Sequence, residues 1–328
     1  MSEAKLNKIL VGVDLLQSRQ GHFSPPVMEA VKQSLGIAER TSGEVTFFAA
    51  IELPTDDESY VPVLDRGRIV SEIEASAEEE LNKLVEQAAA RGVRATSKLA
   101  DGQGWVELTR EAIDGEYDLV VVGSRHAGAV RRVLFGSTAM KLLRNCPRPV
   151  WVARPEPLRT PANVLVASDF SEVSDQALRL ALGIATSSGA KVHLIHVLER
   201  PYAQLWDAGL VEARREQWYH EQDRTKAEHR LREQLARVAG AASSVTVALV
   251  ENPAVADSGI LDYIGGHQID LLLMGTSARR GVAGSVLSNT AERLLSAVPC
   301  SLLAVKPADF VCPVRLESRH YAEPTAYL

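Results

Sequence analysis

Cysteine is scarce in this chain of 328 residues: Cys146, Cys300 and Cys312 are all there are, with neither a CxxC pair nor metal-ligand spacing among them. An odd count without such a pattern argues against a disulfide framework and suits a reducing compartment. Positive charge is short too. The formal net charge of -6 argues against the broad basic face that DNA or RNA binding demands. Long apolar runs are also missing near the start, where polar Met1 to Lys8 leads into about six apolar residues, too few for a signal core or a membrane span. A cytoplasmic protein is expected, with no nucleic-acid or membrane partner.

Catalytic signatures are missing as well. The chain has no Gly-x-Ser-x-Gly elbow, no Walker lysine behind a glycine loop, and no Gly-x-Gly-x-x-Gly after the first strand of either half. His193 and His196 are three apart on an expected strand, so they face opposite ways and cannot share a metal. A dedicated enzyme is therefore not expected.

What the chain does have is a repeat. Leu119-Val-Val-Val-Gly-Ser runs from a buried-type strand into a glycine-bearing loop and the helix start near Ser137, and Leu271-Leu-Leu-Met-Gly-Thr repeats it, with Gly275 lying 152 positions after Gly123. The chain also exceeds the length at which one core usually stops growing, so two domains are expected. Residues 1–157 form the first, 158–310 the second and 311–328 a tail without pattern, read as an extended arm. Pro155, Pro157 and Pro161 mark the linker.

In each half, apolar runs alternate with helical stripes. Ile9–Asp14, Val45–Ile51, Val93–Leu99, Asp118–Gly123 and Val150–Ala153 read as strands, and the second half repeats them from Asn163-Val-Leu-Val-Ala-Ser-Asp169 to Ser301–Val305. Such alternation implies right-handed βαβ units and hence a doubly wound parallel sheet, α/β in class. Ligands of such sheets sit beyond the C-terminal strand ends, and a helix N-terminus placed there offers N–H groups and a positive dipole end to phosphate.

The opening strand with its Asp, the glycine loop, and the closing Pro-Val-Trp-Val and Ser-Leu-Leu-Ala-Val-Lys-Pro strands resemble the universal stress proteins, in particular their tandem, UspE-type branch. The resemblance covers nearly the whole chain. It implies two five-stranded, flavodoxin-like or HUP-type domains forming an internal pseudo-dimer, and binding of an adenine nucleotide, ATP with Mg2+. It implies a stress-response regulator with at most slow, incidental ATP hydrolysis, unknown protein clients and a possible homodimer. The family motif is Gly, two residues, Gly, nine residues, Gly, then Ser or Thr. Here the first half has Gly123, His126 for the second Gly, and Gly136-Ser137. The second has Gly275, Ala278 for the second Gly, and Ser288-Asn289 for Gly-Ser.

A Cβ where backbone must approach phosphate is a steric cost. His126 can clash or donate a charged hydrogen bond, Gly128 can relieve the turn, Ser137 can cap its helix, and Asn289 can cap in the second copy. By resemblance, Asp14 and Asp169 face adenosine; a turn or cap carboxylate is the alternative. By resemblance too, the strands around Thr46 and His193 touch adenine. Arg125, Arg131, Arg132, Arg279 and Arg280 either neutralise phosphate or are solvated surface. Trp206, Trp218 and Tyr219 read as core or interface, or as a flap over an apolar, lipid-like guest. A scaffold without ligand acting through protein contacts is the remaining alternative. The fifth strands of the two halves, at the sheet edges, are expected to pair with each other.

Overall fold

The structure is a computed structural model and describes residues 6–15, 23–52, 63–124, 135–155, 161–199, 213–239, 244–252, 255–276 and 289–315. The first half runs β1 (Lys8–Gly12), α1 (Pro25–Thr41), β2 (Glu44–Ile51), α2 (Val63–Ala90), β3 (Arg94–Asp101), α3 (Gly104–Asp114), β4 (Leu119–Gly123), α4 (Ser137–Asn145) and β5 (Val150–Ala153). The second runs β6 (Asn163–Ala167), α5 (Glu172–Ser188), β7 (Lys191–Glu199), α6 (Ala213–Ala239), β8 (Val245–Asn252), α7 (Ala256–His267), β9 (Leu271–Gly275), α8 (Asn289–Ala297) and β10 (Ser301–Val305).

All ten strands join one sheet in the order β3-β2-β1-β4-β5-β10-β9-β6-β7-β8. Within each half the pairs are parallel, with the switch point between the first and fourth strands. The doubly wound sheet is thus as expected. Its order within a half, 3-2-1-4-5, matches five strands of the doubly wound order 3-2-1-4-5-6 and differs from the 2-1-3-4-5 of flavodoxin.

The central strands are apolar throughout, because helices cover both faces and no face is left for polar residues. β1, β4, β5 and β9 bury nearly every residue. The outer β3 instead alternates exposed and half-buried residues. One apolar layer joins Ile9, Val11 and Phe47 to α1, α2, α5 and α6; the other joins Leu10, Phe48 and Val120 to α3, α4, α7 and α8.

β5 and β10 pair antiparallel, as the edge argument expects, with Leu302 opposite Val152, Leu303 opposite Trp151 and Ala304 opposite Val150. Trp151 and Leu303 hold equivalent places in the two copies, so the pseudo-two-fold axis passes through their pair. Cations cross this junction both ways. Arg154 donates to the Val298 carbonyl at the end of α8, at 2.6 Å, while its counterpart Lys306 is buried near Cys146 at the end of α4. A cation at a helix C-terminus is favourable. Arg144 and Glu292 add an ion pair between halves at 3.2 Å.

The strand N-terminal edges carry a second repeated device. Asp118 accepts from the amides of Asn7 and Lys8, and Asp270 accepts from those of Ala162 and Asn163. These carboxylates fasten the entry to the first strand of each half.

Candidate functional site

A cleft of about 600 Å3 opens at the C-terminal strand edge of the first half. That volume is in the range of small-molecule sites. Its floor is Gly12, Phe48, Val122 and Gly123, and its walls are the N-terminal ends of three helices: Pro26 and Val27 of α1, Gly104 and Leu108 of α3, and Ser137 to Ala139 of α4. The helix starts are this close because Gly123 has no side chain: a Cβ there would stand 2.6 Å from the Pro26 backbone. The motif glycine therefore has a packing reason of its own.

The three helix ends are not equivalent as donors. α1 begins Pro25-Pro26, two residues without N–H groups. α4 begins with Gly136 as cap, has no acidic residue in its first turn, and forms its first internal bond from Met140 N–H to the Gly136 carbonyl. The amides of Ser137, Thr138 and Ala139 thus precede the helical ladder and lie on the cleft wall. Ser137 is the first helical residue and not the cap expected of it; the unbranched Gly136 takes that place.

Ser124 escaped the sequence reading. Its amide donates to Ala153 at 2.8 Å, but its hydroxyl, on a residue 3% exposed, has no hydrogen-bond partner among the described residues. It lines the cleft beside Gly123. A buried unsatisfied hydroxyl costs free energy that a bound polar group can recover. Its signal was present, since Thr276 follows Gly275 just as Ser124 follows Gly123.

Of the other expected site residues, Asp14 lies on the cleft rim with Glu52, two positions beyond the end of β1. Thr46 is a correction: it sits opposite Leu10 in mid-strand, and its hydroxyl meets that of Thr96 at 3.2 Å. The lining of β2 comes from Phe48, Ala50 and Ile51, nearer the strand end. Arg125, His126, Gly128, Arg131, Arg132, Ala278, Arg279, Arg280, Ser288 and Trp206 lie outside the described residues. So do the side chains of Asn289, Trp218 and Tyr219; Asn289 is the first residue of α8.

The second half builds the same frame with different contacts among the described residues. Gly275 meets the Val173 side chain where Gly123 meets Pro26. The residue after Val173 is Ser174, then Asp175, whereas α1 has Val27 and Met28 there. This change seeds a buried network. Ser168 Oγ donates to Gln234 at 2.6 Å, the Gln234 amide donates to Asp175 at 2.8 Å, and Arg237 grips Asp175 with two bonds of 2.8 Å.

Asp169 takes the alternative role, as a turn carboxylate. It accepts from the Ser171 amide at 3.0 Å and the Ser171 hydroxyl at 2.5 Å, while Ser171 caps α5 through Ser174 N–H. Glu292 occupies the first turn of α8, where a carboxylate opposes a bound anion. The two histidines face opposite ways, as expected. His193 lies in mid-strand opposite Leu165 and meets the Tyr263 hydroxyl at 3.0 Å; His196 meets the Ser168 carbonyl at 2.8 Å. Burial lowers the pKa of both imidazoles. Among the described residues no group of three or more His, Cys, Asp or Glu could hold a metal, and no helix is long and apolar enough to cross a membrane.

These features define a duplicated, doubly wound α/β protein with a ligand-sized cleft at one switch point. The model of the Universal stress protein family matches residues 5–154 and again residues 162–306, and the chain belongs to that family. Among its relatives, Universal stress protein E of Salmonella typhi is 26% identical over 218 residues, covering 64% of this chain and 67% of the relative. The Universal stress protein E of Escherichia coli K12 is 25% identical over 223 residues, with the same coverage of each. Among solved structures, a universal stress protein from Archaeoglobus fulgidus superposes with a TM-score of 0.62 at 20% identity, covering 92% of this chain and 99% of that one. A protein of unknown function from Pseudomonas aeruginosa PAO1 gives 0.65 at 19% identity, covering 94% and 95%. At such identity the likeness shows the fold. Family membership supports a stress-response role.

Proposed function

We propose that the first half binds an adenine nucleotide, ATP or a related small ligand, and that the protein acts as a regulator through this binding rather than as a dedicated enzyme. The observation that carries the reading is the buried Ser124 hydroxyl, without a hydrogen-bond partner among the described residues, lining a cleft of about 600 Å3 together with the N-terminus of α4. Apolar Phe48, Leu108 and Val122 suit a purine and ribose, and the α4 amides with Ser124 suit phosphate. Mg2+ usually binds one or two carboxylates together with substrate phosphates. The carboxylates of Asp14 and Glu52 and the hydroxyl of Ser137 are oxygen donors in the lining that would hold it.

A second reading holds for the second half alone. Its tied Asp169 and the Glu292 carboxylate favour a structural partner without a nucleotide of its own.

Calorimetric titration of the purified chain with ATP and Mg2+ tests both readings. One site per chain is expected. Ser124→Ala should weaken binding about tenfold, the loss of roughly one hydrogen bond to a charged group, and Gly136→Val should abolish it. Unchanged affinity in both variants would remove this cleft from consideration, and two equivalent sites would overturn the second reading. Mass spectrometry of copurified ligand, if it returned a lipid, would favour an apolar guest instead.

A further inference from the structure

In the second half a cluster of rings joins β7 to α7. His193 stands in β7 between Leu165 of β6 and Thr246 of β8, and it is 8% exposed. Its Nδ1 meets the Tyr263 hydroxyl of α7 at 3.0 Å, while its buried Nε2 has no hydrogen-bond partner among the described residues. One turn further along α7, His267 stacks on the Tyr263 ring, with 3.8 Å between centroids and 11° between planes. Its ring centre lies 5.7 Å from that of His193. His267 Nδ1 also donates to the Tyr263 carbonyl at 3.0 Å, which pins the stack to the helix backbone.

The first half fills the equivalent place with compensated charge. Thr46 holds the register of His193, between Leu10 and Thr96, and Glu111 precedes Tyr263 by the same 152 positions that separate Gly123 from Gly275. The Glu111 carboxylate accepts from the Tyr117 hydroxyl at 3.2 Å and from the Lys98 ammonium at 2.7 Å. In the second half Tyr263 stands where that carboxylate would be. The groups that act on His193 are Lys191 of β7 and His267 of α7, both positive when protonated, together with the Tyr263 hydroxyl. Leu165 and Thr246, opposite it on β6 and β8, do not titrate. Helices α5 and α6 pack on the other face of β7.

A neutral imidazole suits this place and a charged one does not. Protonation turns both ring nitrogens into donors, so Nδ1 keeps the hydroxyl while Nε2 would carry a buried N–H without an acceptor. The new charge would also sit buried beside a second imidazole. We propose that His193, Tyr263 and His267 form a proton-sensitive latch, which holds α7 on β7 near neutral pH and releases it on acidification. Burial, then the charges of His267 and Lys191, hold the His193 pKa below its ordinary value. As pH falls through that ordinary value, near 6.5, the released state takes up a proton that the latched state refuses. Latching is therefore lost toward acid and regained above it. Since α7 is the counterpart of α3, which walls the first cleft, release frees the matching wall of the second half.

The test compares α7 with α3 in the full chain by amide hydrogen exchange at pH 7 and pH 5, corrected for the intrinsic exchange rate. α7 should lose about tenfold protection at pH 5 while α3 keeps its own, tenfold being one unit of separation between the latched and released histidine. His193→Thr, which places the first half's residue beside Thr246, should abolish the loss. The His193 ring should also titrate below the ordinary histidine value by proton NMR of the unaltered chain, a readout that stands even where His193→Thr does not fold. Equal loss of protection in both helices, a loss that persists in His193→Thr, or a His193 ring titrating at or above the ordinary value would each overturn the inference.

Discussion

The two halves share one frame and differ at the carboxyl edge of their strands. In the first, the carboxylate after the opening strand lines a cavity, the buried hydroxyl after the glycine has no hydrogen-bond partner among the described residues, and the last helix begins without an acid. In the second, the matching carboxylate is tied into a helix cap, Ser168, Gln234, Asp175 and Arg237 form a hydrogen-bonded network, and the last helix carries Glu292 in its first turn. Duplication has kept what folds the chain in both copies and varied the side chains at the carboxyl edge of the strands.

The sharpest way to break this comparison is at the two glycines. In Gly123→Ala the new Cβ meets Pro26 backbone at 2.6 Å, while in Gly275→Ala it meets a Val173 methyl at 3.0 Å. Side chains give way more cheaply than backbone, so we expect Gly123→Ala to cost about 3 kcal/mol and Gly275→Ala less than about 1 kcal/mol. Urea unfolding of both variants decides it, and equal costs would mean the two helix starts are packed alike.

Next in size is the crossing cation. Burial lowers Lys306 from 10.5 to about 8. Between those values the unfolded chain holds more protons, so this group makes stability rise with pH, and its penalty is complete below the folded value. Lys306→Met should gain on the order of 2 to 3 kcal/mol near neutral pH and nothing at high pH. Stability curves for the two proteins that stay parallel from neutral to alkaline pH would refute a buried charge. Arg154, whose hydrogen bond to Val298 is satisfied, offers no comparable gain.

The smallest effect separates the two aspartates. Asp169→Ala removes the acceptor of the Ser171 amide and hydroxyl and should cost about 0.5 to 1 kcal/mol, the net value of a hydrogen bond, and leave ATP affinity unchanged. Asp14→Ala should instead weaken ATP binding. Matching effects in both variants would erase the distinction between the halves.

The strands, their order of appearance and the β5–β10 pairing were legible because apolar runs this short leave little choice, and two fifth strands at sheet edges need partners. The fate of the aspartates was legible in principle. Asp169 stands two positions before its cap Ser171, close enough to hydrogen-bond it, whereas a longer connection separates Asp14 from Ser24. Thr46 misled because alternation tells which face a side chain takes and says nothing of its depth along the strand. The contacts of the tail, from the Cys312 thiol to the Asn145 carbonyl and from Arg110 to the Arg315 carbonyl, escaped because they join residues 167 and 205 positions apart, beyond any local pattern.

Antiparallel pairing at the centre has a geometric consequence. Since β5 and β10 run in opposite directions, the carboxyl ends of the two sets of strands emerge on opposite rims of the sheet. A visitor seated over the first switch point is therefore out of reach of the second, and a client large enough to cap one rim leaves the other bare. The two rims are joined across the sheet, whose centre is the Trp151–Leu303 pair.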